Sequence, residues 1–245
     1  SAMILADVRR NLTRKDAELA ARLLARDSEA ELRRLEARLA DEGIDAILDD
    51  PRLPEAVLSD RRGVLLSLPL FTYALVRDSL RRAGEGDRGI ADYVTAVVVH
   101  FAVGDRSIRI SPADDEVYDA LYRLVADLDD ADARRSLLVR AHLGNYALWL
   151  SGLFPDRIEA VRWRKGGPDL DYYETLGRRG FELAADHRLA AEHGLAPLFA
   201  RAAERFAVIR AALNAVSDRL LFPNVQSPER LMRQVRDTVR FRIAG

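Results

Sequence analysis

The stretch HLGNYALWLSGLFP, residues 142–155, decides the fold class because it is an apolar run long enough for a buried helix. Four residues inside it are unusual for such a helix: His142, Gly144, Asn145 and Gly152. A glycine inside a helix costs about 1 kcal/mol relative to alanine, so its presence calls for a neighbour that approaches closely. The run therefore predicts a helix that either packs tightly against other helices or lines a ligand site.

Two later segments share the wide apolar circumference of this helix, and all three are predicted to form the buried centre of the fold. Their predicted bounds are about residues 131–154, 169–192 and 196–221. The pairs Phe154-Pro155 and Phe222-Pro223 give two of them abrupt ends, because proline disfavours a helical conformation in the residue before it.

Capping signals predict most of the other helices. Thr13 with Asp16, and Ser28 with Glu31, have the spacing of a capping box, which predicts helices over residues 14–26 and 29–42. These two helices would form an N-terminal hairpin that packs on the rest of the chain. A serine followed closely by a proline is also typical of a helix start, and it predicts three more helices: 67–82, 113–127 and 229–241.

Residues 93–110 are ambiguous because their valines and the Gly104-Asp105 pair also fit a short β-hairpin near residues 94–110. The unbroken run Val97 to Val99 fits a helix buried on most sides better than a strand of period two. The favoured interpretation is a helix over residues 90–103 followed by an extended segment.

These patterns together predict an all-α fold. We expect a single compact multi-helix domain over residues 3–245, with roughly 9 to 11 helices. Residues 1–2 resemble a remnant of an expression tag.

Composition narrows the classes of function. The chain has 245 residues, of which 49% are hydrophobic and 31% charged, as in a folded protein. No window of about 18 apolar residues is present, which predicts a cytoplasmic protein that does not cross a membrane. A net charge of -1 makes nucleic acid an unlikely partner, since a phosphate-binding surface normally carries a basic excess.

No motif predicts a metal, a cofactor or a catalytic residue. The chain has no cysteine, which excludes thiol nucleophiles and cysteine-ligated metals. None of its four histidines has the Glu-x-x-His spacing of a di-iron bundle. Two acidic clusters, residues 45–50 and 127–132, are interpreted as helix starts, where carboxylates favour the positive end of the helix dipole.

Polar residues recur on one stripe of each central helix, and these stripes are the candidate ligand-binding site. On the third helix the stripe is a polar row spaced four residues apart: Arg210, Asn214 and Asp218. Two interpretations stay open: a buried hydrogen-bond network that fixes how the helices pack, or a small-molecule pocket between them. The candidate residues are His142, Asn145, Trp149, Tyr173, His187, Asn214 and Asp218.

Two basic segments are candidate contact surfaces. A flexible loop is predicted over residues 162–168, and its first four residues, Arg162, Trp163, Arg164 and Lys165, combine charge with an aromatic ring suited to docking a partner. The C-terminal helix carries several arginines among Leu231, Val235 and Val239. Its pattern is interpreted as an amphipathic helix that packs its apolar face against the core.

The leading functional hypothesis is a non-catalytic protein that binds a protein partner or associates with itself. One alternative is a small-molecule-binding protein or enzyme with its pocket between the central helices. Another is nucleic-acid binding through the local arginine-rich patches.

Overall fold

The computed structural model describes residues 3–103 and 133–241, and every regular element in these two ranges is a helix. The predicted all-α fold is therefore confirmed. The hairpin alternative is wrong as far as Val103, because the chain is helical over Arg88–Val103. The predicted extended segment, the rest of the hairpin, the predicted helix over 113–127 and the acidic cluster over 127–132 lie outside the described residues.

The first described range folds into these elements: α1 (Val8–Asn11), α2 (Arg14–Ala25), α3 (Glu29–Glu42), α4 (Asp45–Leu48), α5 (Leu53–Ser59), the 3-10 helix η1 (Arg61–Leu65), α6 (Leu68–Arg82) and α7 (Arg88–Val103). The second range contains α8 (Ala133–Leu153), α9 (Pro155–Lys165), α10 (Leu170–Ala185), α11 (Arg188–Glu192), α12 (Ala196–Glu204), α13 (Phe206–Leu220) and α14 (Pro228–Phe241).

The capping signals place the N-terminal hairpin as predicted. The Thr13 hydroxyl accepts from the Asp16 backbone N–H, and the Asp16 carboxylate accepts from the Thr13 backbone N–H, so both halves of a capping box are formed. Ser28 accepts a hydrogen bond from the Glu31 backbone N–H at 3.2 Å. Helix α2 contacts α3 along the hairpin and α5 on the body of the protein.

Two of the three central helices are shorter than predicted because each is interrupted. The segment over 169–192 breaks after Ala185, and the segment over 196–221 breaks at Arg205. At the second break the Arg205 side chain donates to the buried carboxylate of Glu85 at 3.1 Å and to the carbonyl of Gly84. These partners lie about 120 positions earlier in the chain, so a local pattern does not reveal them.

Helix α8 lies at the centre, packed against α7, α10 and α13, and its glycines allow this packing. A Cβ atom on Gly180 of α10 would lie 2.7 Å from the backbone nitrogen of Gly144 in α8. A Cβ atom on Gly144 would lie 2.6 Å from the ring of Phe181. On Gly152 it would lie 2.7 Å from Leu213 of α13. The glycines of the opening stretch are therefore sites of close helix packing.

Candidate functional site

Asn145, the polar residue at the middle of α8, is buried against α7. The hydroxyl of Tyr93 donates a hydrogen bond to Asn145 Oδ1 at 2.5 Å, and both side chains are almost completely inaccessible to solvent. Burial raises the pKa of Tyr93 well above its usual value, so the phenol keeps the proton that it donates. This pair is a buried polar link between two helices.

Replacing Asn145 by leucine is expected to lower the free energy of unfolding by about 1–3 kcal/mol, because it leaves the Tyr93 hydroxyl buried without this acceptor. The measurement is denaturant unfolding followed by circular dichroism. The matched control is the double variant Asn145→Leu/Tyr93→Phe, which removes both polar groups and should recover part of the loss. A double variant that unfolds as easily as the single variant would show that packing, not the hydrogen bond, causes the loss.

His142 lies one turn away and lines a small cleft with Asn145, His100 and two N-terminal residues, Met3 and Ile4. The cleft has a volume of about 20 Å³, which is close to the space of one water molecule. Ligand pockets commonly have volumes of roughly 300–1,000 Å³. The cleft therefore has the size of a hydration site.

The aromatic members of the predicted site pack against other rings. Trp149 stacks on Phe101 with ring centroids 5.1 Å apart, and it meets Phe154 edge to face at 5.0 Å. Tyr173 is buried on α10 and contacts the ring of Tyr172 at 5.5 Å. These contacts place Trp149 and Tyr173 in the core.

His187 does not lie on the α10 stripe that contains Tyr173, which corrects the predicted alignment. The helix ends at Ala185, and His187 caps α11 by accepting the Leu189 backbone N–H at Nδ1, 3.2 Å away. Burial lowers the pKa of His187, and the charges of Arg140 and Arg188 lower it further. A neutral imidazole is the form that this cap requires, since Nδ1 accepts.

Asn214 on α13 closes the carboxyl end of α8. Its amide nitrogen donates to the carbonyls of Ser151 and Gly152, both at 2.7 Å, and its oxygen accepts from Arg210 at 2.8 Å. The last carbonyls of a helix have no hydrogen-bond donor within the helix, and the Asn214 amide supplies a donor to two of them. Arg210 and Asn214, in the polar row of α13, therefore belong to a buried hydrogen-bond network, as one interpretation predicted. The bonds of Asn214 reach α8 at Ser151 and Gly152, and they do not reach Asn145 or His187.

Arg210 is completely buried and donates to two carboxylates as well as to Asn214. Its Nε bonds Glu174 of α10 at 2.9 Å, and its Nη2 bonds Asp237 of α14 at 3.0 Å. Burial by itself would lower the pKa of Arg210, but the bonds and charges of Asp237 and Glu174 outweigh it and raise the pKa. The guanidinium thus stays charged and ties three helices together.

Asp218, one turn beyond Asn214, joins a second ionic cluster. It accepts from Arg233 of α14 at 2.8 Å and from Gln234 at 2.8 Å. Arg230, on the same face of α14, bonds Asp156 at the start of α9. The inner face of α14 is consequently polar and charged.

The outer face of α14 is apolar, and the prediction that this face packs on the core is wrong. Four side chains are exposed along it: Leu231 by 62%, Met232 by 72%, Val235 by 54% and Val239 by 76%. The helix turns its charged face inward because Arg230, Arg233 and Asp237 form ion pairs with side chains of other helices. We call these four side chains the α14 seam.

The seven candidate ligand-binding residues therefore lie in different environments and do not surround one cavity. His142 and Asn145 share the small cleft, Trp149 and Tyr173 lie in aromatic contacts, and His187 caps a separate helix. Asn214 and Asp218 belong to the ionic layer, by which we mean the charged and polar groups that join α14 to the helices beneath it. A ligand role for any of them stays a prediction.

The basic patch at residues 162–165 forms the last turn of α9, which corrects its assignment to a loop. Pro155 occupies the first turn of this helix, where a proline is tolerated, and Gly166 ends it with a φ of +69°. Arg162 pairs with Glu159 at 3.7 Å, and Trp163 is 71% exposed. A partner role for this patch also stays a prediction.

Sequence reasoning missed a charged cluster between α1, α4, α6 and α7. Arg9 bonds Asp45 at 2.9 Å and lies 3.9 Å from Asp92, while Tyr73 is fully buried beside them. Burial raises the pKa of Tyr73 to about 12 and also raises the pKa of Asp92. Asp45 and Asp92 lie 36 and 83 positions from Arg9 in the sequence, so no local spacing predicts these contacts.

Two other features that often mark function, a metal-binding cluster and a membrane-spanning helix, are absent from residues 3–103 and 133–241. No group of three or more histidine, aspartate or glutamate side chains there is arranged to hold a metal ion. Among the helices of this part of the chain, none combines the length and apolar character needed to cross a bilayer. An open groove of about 390 Å³ between α2, α5 and η1 contains none of the predicted site residues.

No protein-family model, curated protein or solved structure matches this chain. The contacts and exposed surfaces of the chain itself are therefore the basis for inferring its function.

Proposed function

We propose that this protein is a non-catalytic helical protein that acts by contact with other protein chains, and that the α14 seam is its contact surface. One observation carries the proposal: α14 turns its charged face inward and its apolar face to solvent. An amphipathic helix on a globular protein normally does the reverse.

Burial of apolar surface favours a state in which another protein chain covers the α14 seam. Fully burying a valine, leucine or methionine side chain contributes about 1.5–3 kcal/mol relative to leaving it exposed. Four such side chains on one helix face are more than half exposed. Monomeric proteins rarely expose contiguous apolar patches larger than a few hundred Å², and larger patches mark interaction sites.

The polar residues of the predicted site support a non-catalytic role. Asn145 Oδ1, both ends of the Asn214 amide and the Arg210 guanidinium bond other protein groups in the interior. General acid–base catalysis needs a titratable group within reach of a bound substrate. His187, whose pKa is lowered, uses its Nδ1 lone pair for a helix cap.

The experiment compares the wild type with the double variant Met232→Glu/Val235→Glu by size-exclusion chromatography with light scattering, over a range of concentrations. The wild type is expected to exceed the monomer mass of 27.4 kDa, and the variant to elute as a monomer, because charge is not tolerated in an apolar contact. The matched control is Val64→Glu, which changes a valine that is 84% exposed on η1.

A wild type that is monomeric at every concentration and retains no protein from its native lysate would contradict the proposal. A control variant that dissociates as the double variant does would show that the seam is not the contact surface. Circular dichroism of each variant checks that the fold is retained.

A further inference from the structure

We infer that the occupant of the α14 seam is the same helix of a second copy of this chain, in an antiparallel pair centred between positions 235 and 236. The inference rests on the proposed function, and it adds the identity of the partner and the geometry of the contact. Three features of α14 support it: the spacing of the seam, the pairing of its arginines and its attachment to the body.

The spacing of the seam suits a partner with the same spacing. Met232, Val235 and Val239 lie at i, i+3 and i+7, which is the alternation of three and four residues found in the seam of a coiled coil. If two copies run antiparallel about a two-fold axis between positions 235 and 236, each Met232 lies level with the Val239 of the partner, and the two Val235 side chains are offset by only one residue. These three side chains of the seam then each meet an apolar side chain, as a self-complementary interface requires.

The charges beside the seam favour a second copy over an acidic protein or an anionic membrane. Arg236 lies 3.8 Å from Asp171, and Arg240 lies 3.2 Å from Glu174, both on α10 of the same chain. The other two arginines of α14, Arg230 and Arg233, are paired on its inner face. Because each arginine of Pro228–Phe241 has a carboxylate partner, the seam offers no uncompensated positive charge to an acidic partner. The net charge of -1 also lets two copies approach without strong repulsion.

The attachment of α14 to the body presents the seam in a fixed orientation. The helix is joined through Asp237 to the buried Arg210, and through Arg233 to Asp218. A surface that is ordered before binding loses less conformational entropy on association than a flexible tail does.

A stable interface buries roughly 800 Å² on each partner, and one 14-residue helix face supplies only part of that area. The segment that leads into α14 carries two more exposed apolar side chains, Leu221 at 49% and Val225 at 40%.

Cysteine cross-linking tests this geometry directly, because the chain has no cysteine of its own. The variant Val235→Cys, oxidised with copper phenanthroline, is expected to form a covalent dimer. Met232→Cys and Val239→Cys should cross-link with each other when the two proteins are mixed and only weakly when each is alone. The control Val64→Cys places a thiol on η1, outside the seam, at a position more exposed than Val235 (84% against 54%). Val235→Cys should cross-link at least about tenfold faster than this control, since pairing raises the effective concentration of its thiols.

The outcomes separate this inference from the proposed function. A dimer by light scattering whose Val235→Cys variant cross-links no faster than Val64→Cys overturns the pairing of α14 and leaves self-association standing. Equally fast cross-linking of all three seam variants, each alone, indicates a parallel pair and overturns the antiparallel one. A wild type that is monomeric, yet sediments with vesicles containing phosphatidylserine, overturns the second copy in favour of a membrane surface. Circular dichroism shows whether each variant is folded before oxidation.

Discussion

Replacing Arg210 by methionine is expected to lower the free energy of unfolding by about 3–5 kcal/mol, measured by urea unfolding. The guanidinium is completely buried and bonds Glu174, Asp237 and Asn214. Methionine removes the charge, so the buried Asp237 carboxylate loses its cation and Glu174 keeps only Arg240 as a partner. The cost of an uncompensated buried charge is much larger than the net gain from an intact pair.

The matched control is Arg236→Met, which removes an arginine from the exposed side of α14. Arg236 lies 3.8 Å from Asp171, and both side chains are about half exposed or more, so its loss should change the free energy of unfolding by less than about 1 kcal/mol. Equal losses for the two variants would contradict the assignment of Arg210 as the centre of the ionic layer. The Arg210→Met variant should also weaken the docking of α14, visible as faster proteolysis of the C-terminal helix.

Replacing Gly180 by leucine is expected to lower the free energy of unfolding by about 2–3 kcal/mol, because the close contact of α8 and α10 leaves no room for a side chain. A Cβ atom at this position would lie 2.7 Å from the backbone nitrogen of Gly144 and 3.0 Å from the backbone oxygen of Arg140. Backbone atoms of a central helix cannot move aside as the end of a flexible side chain does.

The control is Arg178→Leu, on the exposed side of the same helix, where the side chain is 59% accessible. A substitution there should change the free energy of unfolding by no more than about 0.5 kcal/mol. Thermal and urea unfolding both report the difference. If Gly180→Leu were as stable as the control, the two helices would have to lie farther apart than this structure places them.

The sequence predicted the helices well where the signal was local. The capping box of Thr13 and Asp16 and the Ser67 start each specify a helix end through neighbours three residues away, and the structure places helix ends there. The break at Arg205 was missed for the opposite reason. Arg205 is held by Glu85, a partner that becomes a neighbour only after folding.

In the candidate site, too, the sequence predicted a local pattern but not the distant residues that the pattern contacts. The polar row of Arg210, Asn214 and Asp218 was visible from its spacing of four residues. Arg210 and Asn214 do bond each other in a buried network, while Asp218 bonds Arg233 in a second cluster. The carboxylate partners of Arg210 were not visible, since Glu174 and Asp237 lie 36 and 27 positions away. The small-molecule pocket predicted from three polar stripes needed those stripes to meet, and helix rotation directs them to different neighbours.

The sequence by itself determined that this chain is helical, where the helices capped by Thr13, Ser28 and Ser67 begin, and which residues are apolar enough to form a core. These properties follow from periodicity and from capping contacts within one turn. Only the tertiary structure decided which face of α14 turns inward. An amphipathic pattern specifies two faces and normally buries the apolar one. Here the long-range pairing of Arg230, Arg233 and Asp237 with groups on other helices holds the charged face inside and leaves the α14 seam exposed.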